Sequence, residues 1–366
     1  MCRGSFTVLF LIALLFPLTV HADELDELEK RVKTLEMKLK NNVAAAEDIE
    51  FKLADLINIS GYLDAEYRTS DKPGSIDHFR LHHMSMFMER RLNEQWSFFS
   101  EIEYEDAPFF EGPENTGGEL KKAQGRIFVE AVYMDYRPSH KISVRAGRFY
   151  TPAGIWNVYH YSPFVPTQII PAHIRKIFPQ VTDGMSLYGD LDMGGNVLSY
   201  NIYTGNGEGN SGNGDKNNAK SIGGRLLLAV PGNHDFEIGV SVYNDEFKGG
   251  KKKQASGFDM QFHFNRFRFQ GEYASAAYDT VSRPSYASSG YYGQLIYRLV
   301  KWSFMYRYDY YEPSDTVVGD KLLANSFAVN YHWSPVIVSK IEYHMNDVET
   351  PDEDYNEMIF STAMFF

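Results

Sequence analysis

Trp302-Ser303-Phe304-Met305-Tyr306-Arg307-Tyr308-Asp309-Tyr310 alternates without a slip. Trp302, Phe304, Tyr306, Tyr308 and Tyr310 share one face of an extended chain, opposite Ser303, Met305, Arg307 and Asp309. A period of two is that of a β-strand with one apolar and one polar face. The rhythm recurs at Ile337, Ser339, Ile341, Tyr343 and Met345 opposite Val338, Lys340, Glu342, His344 and Asn346. It recurs again at Ile59, Gly61, Leu63, Ala65 and Tyr67 opposite Ser60, Tyr62, Asp64, Glu66 and Arg68.

Working outward, sixteen such segments are expected, near 57–69, 78–90, 95–106, 125–137, 141–149, 183–191, 196–204, 220–230, 235–243, 255–264, 267–277, 288–299, 302–312, 321–332, 336–346 and 355–366. Their connections alternate in length. Pro138–His140, Asp192–Gly195, Asn265-Arg266, Val300-Lys301 and Trp333–Pro335 are short, whereas Ala107–Gln124, Thr151–Thr182, Gly205–Ala219 and Asn244–Gln254 are long. A soluble sandwich has no reason to sort loops by side. An outer-membrane barrel does, with short periplasmic turns and longer external loops, and it needs an even strand count. The expected fold is all-β: a 16-stranded antiparallel transmembrane β-barrel over residues 57–366, with an N-terminal α-helical coiled-coil segment.

Composition agrees. Mean hydropathy of −0.37 argues against a helical membrane protein, and the 15% of Phe, Tyr and Trp suits aromatic girdles at two membrane interfaces. The net charge of −12 disfavours nucleic acid as a partner. Ahead of the barrel, residues 1–22 read as a signal peptide: Arg3, an apolar run from Phe6 to Val20, and the small-residue end Val20-His21-Ala22. The competing reading of that run is a membrane anchor. Cys2 is the only cysteine and lies in this segment, so a processed chain has no disulfide and no cysteine chemistry. Residues 23–56 carry Leu25, Leu28, Val32, Leu35, Leu39, Asn42, Ala46, Ile49, Leu53 and Leu56 at heptad spacing. They read as a periplasmic coiled coil and so as an oligomerisation segment, against the plainer reading of a single amphipathic helix.

Between two clear strands, Thr151–Asp183 fits neither period. Pro152, Pro163, Pro166, Pro171 and Pro179 interrupt it, yet it is too apolar for a solvated loop. A connection of this length inside a compact fold is functional or a sign of misassigned elements. We read 151–183 as a loop folded into the bore, where it narrows a pore.

Just before it, Val144-Arg145-Ala146-Gly147-Arg148-Phe149-Tyr150-Thr151-Pro152-Ala153-Gly154 resembles the segment by which phosphate-selective porin O/P-type channels enter their constriction loop. Strand number, loop rhythm and the terminal Phe366, which resembles an outer-membrane assembly signal, extend the resemblance over 57–366. It implies a homotrimeric, passive diffusion channel in the outer membrane, in contact with lipid and passing small hydrophilic solutes or ions. Solute identity does not follow. Charges of both signs sit on polar faces: Arg68, Arg80, Arg145, Arg268, Arg307 and Lys340, and Glu101, Glu103 and Glu105 of one strand. The candidates for the constriction are Arg145, His160, His173, Arg175, Lys176, Glu101 and Glu103, with an anion preference as the secondary expectation. Lys251-Lys252-Lys253 is expected in an external loop, solvating its tip rather than attracting anions.

Catalytic chemistry finds no foothold. His78 and His82 on one strand stand roughly 13 Å apart, too far to share a metal unaided, and read as lumen-facing polar groups. No H-E-x-x-H or G-x-S-x-G spacing occurs, and Gly205–Gly214 lacks the Lys-Ser/Thr of a phosphate cradle. We therefore expect no enzyme, no cofactor and no bound metal. The rival to a channel is a structural or adhesive protein joining the outer membrane to the cell wall or an external partner; a barrel hydrolase has no motif behind it.

Overall fold

A computed structural model describes residues 30–35, 37–38, 57–111, 121–207, 217–232, 235–281, 284–349 and 354–366. The chain divides into two compact units, 1–56 and 57–366. In the first, residues 30–35 and 37–38 are helical with exposed side chains. The rest of the expected coiled coil and the whole of the expected signal peptide lie outside the described residues.

The second unit contains sixteen strands: β1 (Asn58–Ser70), β2 (His78–Arg91), β3 (Trp96–Glu111), β4 (Lys121–Ser139), β5 (Ile142–Tyr150), β6 (Val181–Met193), β7 (Asn196–Gly205), β8 (Ser221–Val230), β9 (Phe236–Glu246), β10 (Lys252–Phe264), β11 (Phe267–Asp279), β12 (Tyr286–Leu299), β13 (Trp302–Glu312), β14 (Leu322–Ser334), β15 (Ile337–Val348) and β16 (Tyr355–Phe365). Every strand pairs antiparallel with its neighbours in sequence, and β1 pairs with β16, Tyr62 opposite Phe365 and Ser70 opposite Glu357. Beyond β16, Phe366 and Gly61 exchange backbone hydrogen bonds of 2.8 and 2.9 Å. The barrel is closed, which removes the unpaired edge that an open sheet would present to lipid.

Alternation decides which face looks out. On β13, Trp302, Phe304 and Tyr306 are exposed while Ser303, Arg307 and Asp309 are buried. On β16, Phe360 and Met364 are exposed while Ile359, Ser361 and Ala363 are buried. The apolar face is outside and the polar face lines the bore, the inverse of a soluble core. A one-residue slip would turn Arg307 and Asp309 to lipid, where a charge costs about 2–4 kcal/mol at the midplane. This pins the register.

Turns follow the same economy. Gly194 and Gly195 join β6 to β7 with φ of 69° and 96°, as a type I′ hairpin requires. Two departures from the expected strands have local causes. Pairing with β9 and β11 carries β10 back to Lys252, so the lysine run is no solvated tip. Lys253 is 1% exposed, and its Nζ lies 5.9 and 5.5 Å from the ring centres of Tyr243 and Tyr278. In β2 a bulge opposite Asp64/Ala65 makes His82 the extra residue, so that Asp64 pairs with His83 and Ala65 with Leu81.

Candidate functional site

The thirty residues between β5 and β6, Thr151–Gln180, lie inside the barrel. Their neck is closed by Thr151 N–H donating to Gln180 O at 2.9 Å, and by Asn157 Nδ2 donating to Thr151 O at 2.7 Å. A buried irregular backbone must find a partner for each polar group, and the inward strand faces supply them. Trp156 N–H donates to Glu272 Oε1 of β11 at 3.0 Å. Lys340 Nζ of β15 donates to Ser162 O at 2.7 Å, and Asn330 Nδ2 of β14 to Pro166 O at 3.1 Å. Arg307 of β13 donates to Thr167 Oγ1 at 2.8 Å and to Ile169 O at 3.0 Å, and Glu342 accepts Gln168 N–H at 2.8 Å.

Shape seats the segment as well as charge. Gly154 takes a φ of 65°, and a Cβ there would meet Glu272 Oε2 at 1.9 Å. Gly290 of β12 leaves room for His173, whose Cβ would stand 2.3 Å from any Cβ added at that glycine. Phe178 and Ile177 join a cluster with Phe149, Tyr203, Tyr243 and Tyr278 on the inner wall. Arg175 is held at φ 62°, in the sparsely populated left-handed region. Burial pushes the His173 imidazole down to about 3, with Arg307 adding to the effect, so it is neutral in its seat. Burial also pushes His160 well below its ordinary value, with Arg175 contributing.

Across the bore, β1–β4 present Asp64, Glu66, Glu101, Glu103, Glu105 and Glu130. Glu103 accepts from Tyr62 at 2.7 Å and from Ser85 at 2.8 Å. Glu101 accepts from Tyr150 at 3.0 Å and from the loop's Tyr161 at 3.3 Å. Glu66 lies 3.3 Å from Arg68 and 3.4 Å from Arg80. At the short-turn end, between the loop and β9–β14, is a cavity of about 590 Å³. Trp156, Phe164 and Pro166 form its loop side; Arg266, Arg268, Arg298, His263 and His332 line its wall with Glu237. Among the described residues, none of those three arginines has a carboxylate within ion-pair distance.

The residues expected at the constriction therefore separate. Glu101, Glu103 and His160 come together: the His160 ring meets Tyr150 edge-on at 4.8 Å and lies tilted against Tyr161 at 5.0 Å, and both tyrosines bond Glu101. Arg175 is half-buried and Lys176 is exposed, while His173 is 2% exposed and faces Tyr292 at 6.1 Å. Arg145 stands apart near the short-turn end of β5. There it grips Asp135 at 2.8 and 2.9 Å, with its guanidinium 3.8 Å over the Tyr133 ring. Sequence reasoning placed Arg307 and Lys340 on polar faces without a role; their loop partners are visible only in three dimensions. Glu272 and Arg298 were missed outright, although the same alternation puts both inward.

The sequence profile of the Gram-negative porin family matches residues 42–351. The chain belongs to the Gram-negative porin family. Among solved structures, the porin's fold is similar to that of an anion-selective porin from Comamonas acidovorans (TM-score 0.62, 12% identity, 85% of this chain and 99% of that one). It is also similar to OmpF of Salmonella typhi, solved with daunomycin (TM-score 0.57, 12% identity, 86% and 98%), and to OmpT of Vibrio cholerae in trimer form (TM-score 0.56, 11% identity, 85% and 99%). No curated protein sequence matches. Family and fold together make this an outer-membrane porin channel, in a class whose members are typically not enzymes.

Proposed function

We propose that this porin is a passive diffusion channel for small hydrophilic solutes and ions, narrowed by residues 151–180 and preferring anions. One observation carries the narrowing: Glu272, Arg307, Asn330, Lys340 and Glu342, from the four strands β11, β13, β14 and β15, all bond to the loop within the bore. The anion preference is supported by Arg266, Arg268 and Arg298 around the short-turn cavity, where rings of basic side chains favour anions. The opposite, acidic wall works against it, so the preference is mild and carries no claim of phosphate specificity.

The porin would assemble as a homotrimer, consistent with the heptad seam of residues 23–56 and with the trimer form described for the Vibrio cholerae protein. In this reading residues 1–22 are removed on export and the coiled coil stands in the periplasm. Reversal potential across a planar bilayer in a salt gradient tests the selectivity. An anion-permeable reading that shrinks in Arg268→Gln/Arg298→Gln is expected; a cation-selective parent would show that the acidic wall dominates.

A further inference from the structure

The β2 bulge has a chemical consequence. It places consecutive residues, His82 and His83, on the same inner wall, with ring centres 3.5 Å apart. Both aim Nδ1 at one carboxylate: His82 Nδ1 is 3.1 Å from Asp64 Oδ2, and His83 Nδ1 is 3.1 Å from Asp64 Oδ1. Glu66 Oε2 lies 3.6 Å from His82 Nδ1, and Glu105 Oε1 lies 3.8 Å from His83 Nε2. Within Asp64, His82 and His83, the potential ligand atoms all lie within 4.8 Å of one another; the same holds for His83, Glu103 and Glu105.

These separations lie within a few tenths of an ångström of a coordination edge. An ion about 2.0–2.2 Å from each ligand in tetrahedral geometry holds neighbouring ligands about 3.3–3.6 Å apart. The ligand types choose among ions. Two imidazoles with carboxylates suit zinc and neighbouring first-row divalent metals, whereas magnesium and calcium take oxygen ligands. Access is present: the His82 and His83 side chains are 12% and 20% exposed, and Asp64 behind them is fully buried. The surrounding carboxylates of β1–β4 favour a dication, although Arg68 and Arg80 offset part of that charge at Glu66.

We propose that Asp64, His82 and His83, with Glu105 or Glu66 beside them, form a binding site for a zinc-class divalent metal ion on the inner wall of the porin. The site rests on the inward orientation of these residues in the closed barrel, not on conduction. Its test therefore uses binding rather than current, so a failed channel reading and a failed metal site are distinguishable.

The experiment is calorimetric titration of tag-free, detergent-solubilised, full-length porin with ZnCl2 and, in parallel, MgCl2. The parent is expected to take up one high-affinity Zn2+ per chain and to ignore Mg2+ at the same concentrations. His82→Asn/His83→Asn removes two ligands and should lower that affinity by more than the roughly 10–100-fold that loss of a mere outer-shell partner costs. Asp64→Asn, which keeps the side-chain size, should weaken it similarly, and serves if the double variant does not fold. Equal Zn2+ affinity in parent and folded variants, or no Zn2+ binding by the parent, would overturn the site and leave a wall of plain histidine–aspartate ion pairs.

Discussion

Two walls of one bore carry buried charges of the same kinds and put them largely to different uses, although Glu101 of β3 also accepts from the loop's Tyr161 and Glu130 of β4 from its Gln180. On β11–β15, Glu272, Arg307, Lys340 and Glu342 reach across to the loop and satisfy its backbone. On β1–β3, Asp64, Glu66 and Glu103 pair with Tyr62, Ser85, Arg68, Arg80, His82 and His83 of their own or adjoining strands. An inward charge in a barrel is therefore not by itself a selectivity group. Some such charges are anchors for the segment that shapes the pore, and only the remainder act on the solute.

The loop-holding wall depends most on Arg307. Arg307→Ala removes two bonds to the loop and leaves Asp309, 1% exposed and bonded to Arg307 Nε at 2.7 Å, without its counter-charge. Breaking a buried pair on one side costs about 3–5 kcal/mol. The heat-induced unfolding of the barrel on semi-native gels should shift to clearly lower temperature; an unshifted transition would mean that Arg307 anchors nothing.

Next in size is Gly290→Ala. The added Cβ meets His173 Cβ at 2.3 Å and Tyr310 O at 2.9 Å, so the loop must lift from β12. Overpacking of this kind costs about 1–3 kcal/mol. Faster proteolysis within 151–180 of an otherwise intact barrel is the expected readout, and parent-like resistance would place His173 elsewhere.

Acid should act in the same direction. His173 is held neutral in the docked loop, down to about 3, against an ordinary value of 6.5. The undocked histidine therefore binds more protons across that window, and docking weakens as pH falls from about 6.5 towards about 3, being fully present above it. Hydrogen exchange at loop amides, corrected for intrinsic rates, should rise on acidification in the parent. It should rise less in His173→Asn. The same slope in both would remove His173 from the linkage.

The smallest effect belongs to the other wall. Glu103→Gln keeps an acceptor for Tyr62 and Ser85 and should cost under about 1 kcal/mol. It should nevertheless move the reversal potential towards anions. A large loss of stability with no change in selectivity would erase the distinction between the walls.

Much of this was legible in the residues. The dyad from Trp302 to Tyr310 fixes strand type and, with the loop rhythm, the barrel; five prolines mark 151–183 as an apolar connection that fits no strand. What alternation cannot supply is which inward residues meet across a bore, since partners such as Arg307 and Thr167 are 140 positions apart. Nor does it supply bulges. The extra residue at His82 breaks the period locally, which is why spacing alone grouped His78 with His82 on one face and set His83 only beside them. Arg145 misled for a related reason: its strand was right, but its depth and its partner Asp135 were set by neighbouring β4.

Single-channel conductance of the parent and of a variant lacking residues 155–180, both reconstituted in planar bilayers after the barrel fold has been verified, reads directly whether the loop narrows the bore. If the anchored loop narrows the bore, the deletion conducts clearly more per channel in the same salt. Equal conductance from a folded deletion variant would contradict it and leave the loop as packing alone.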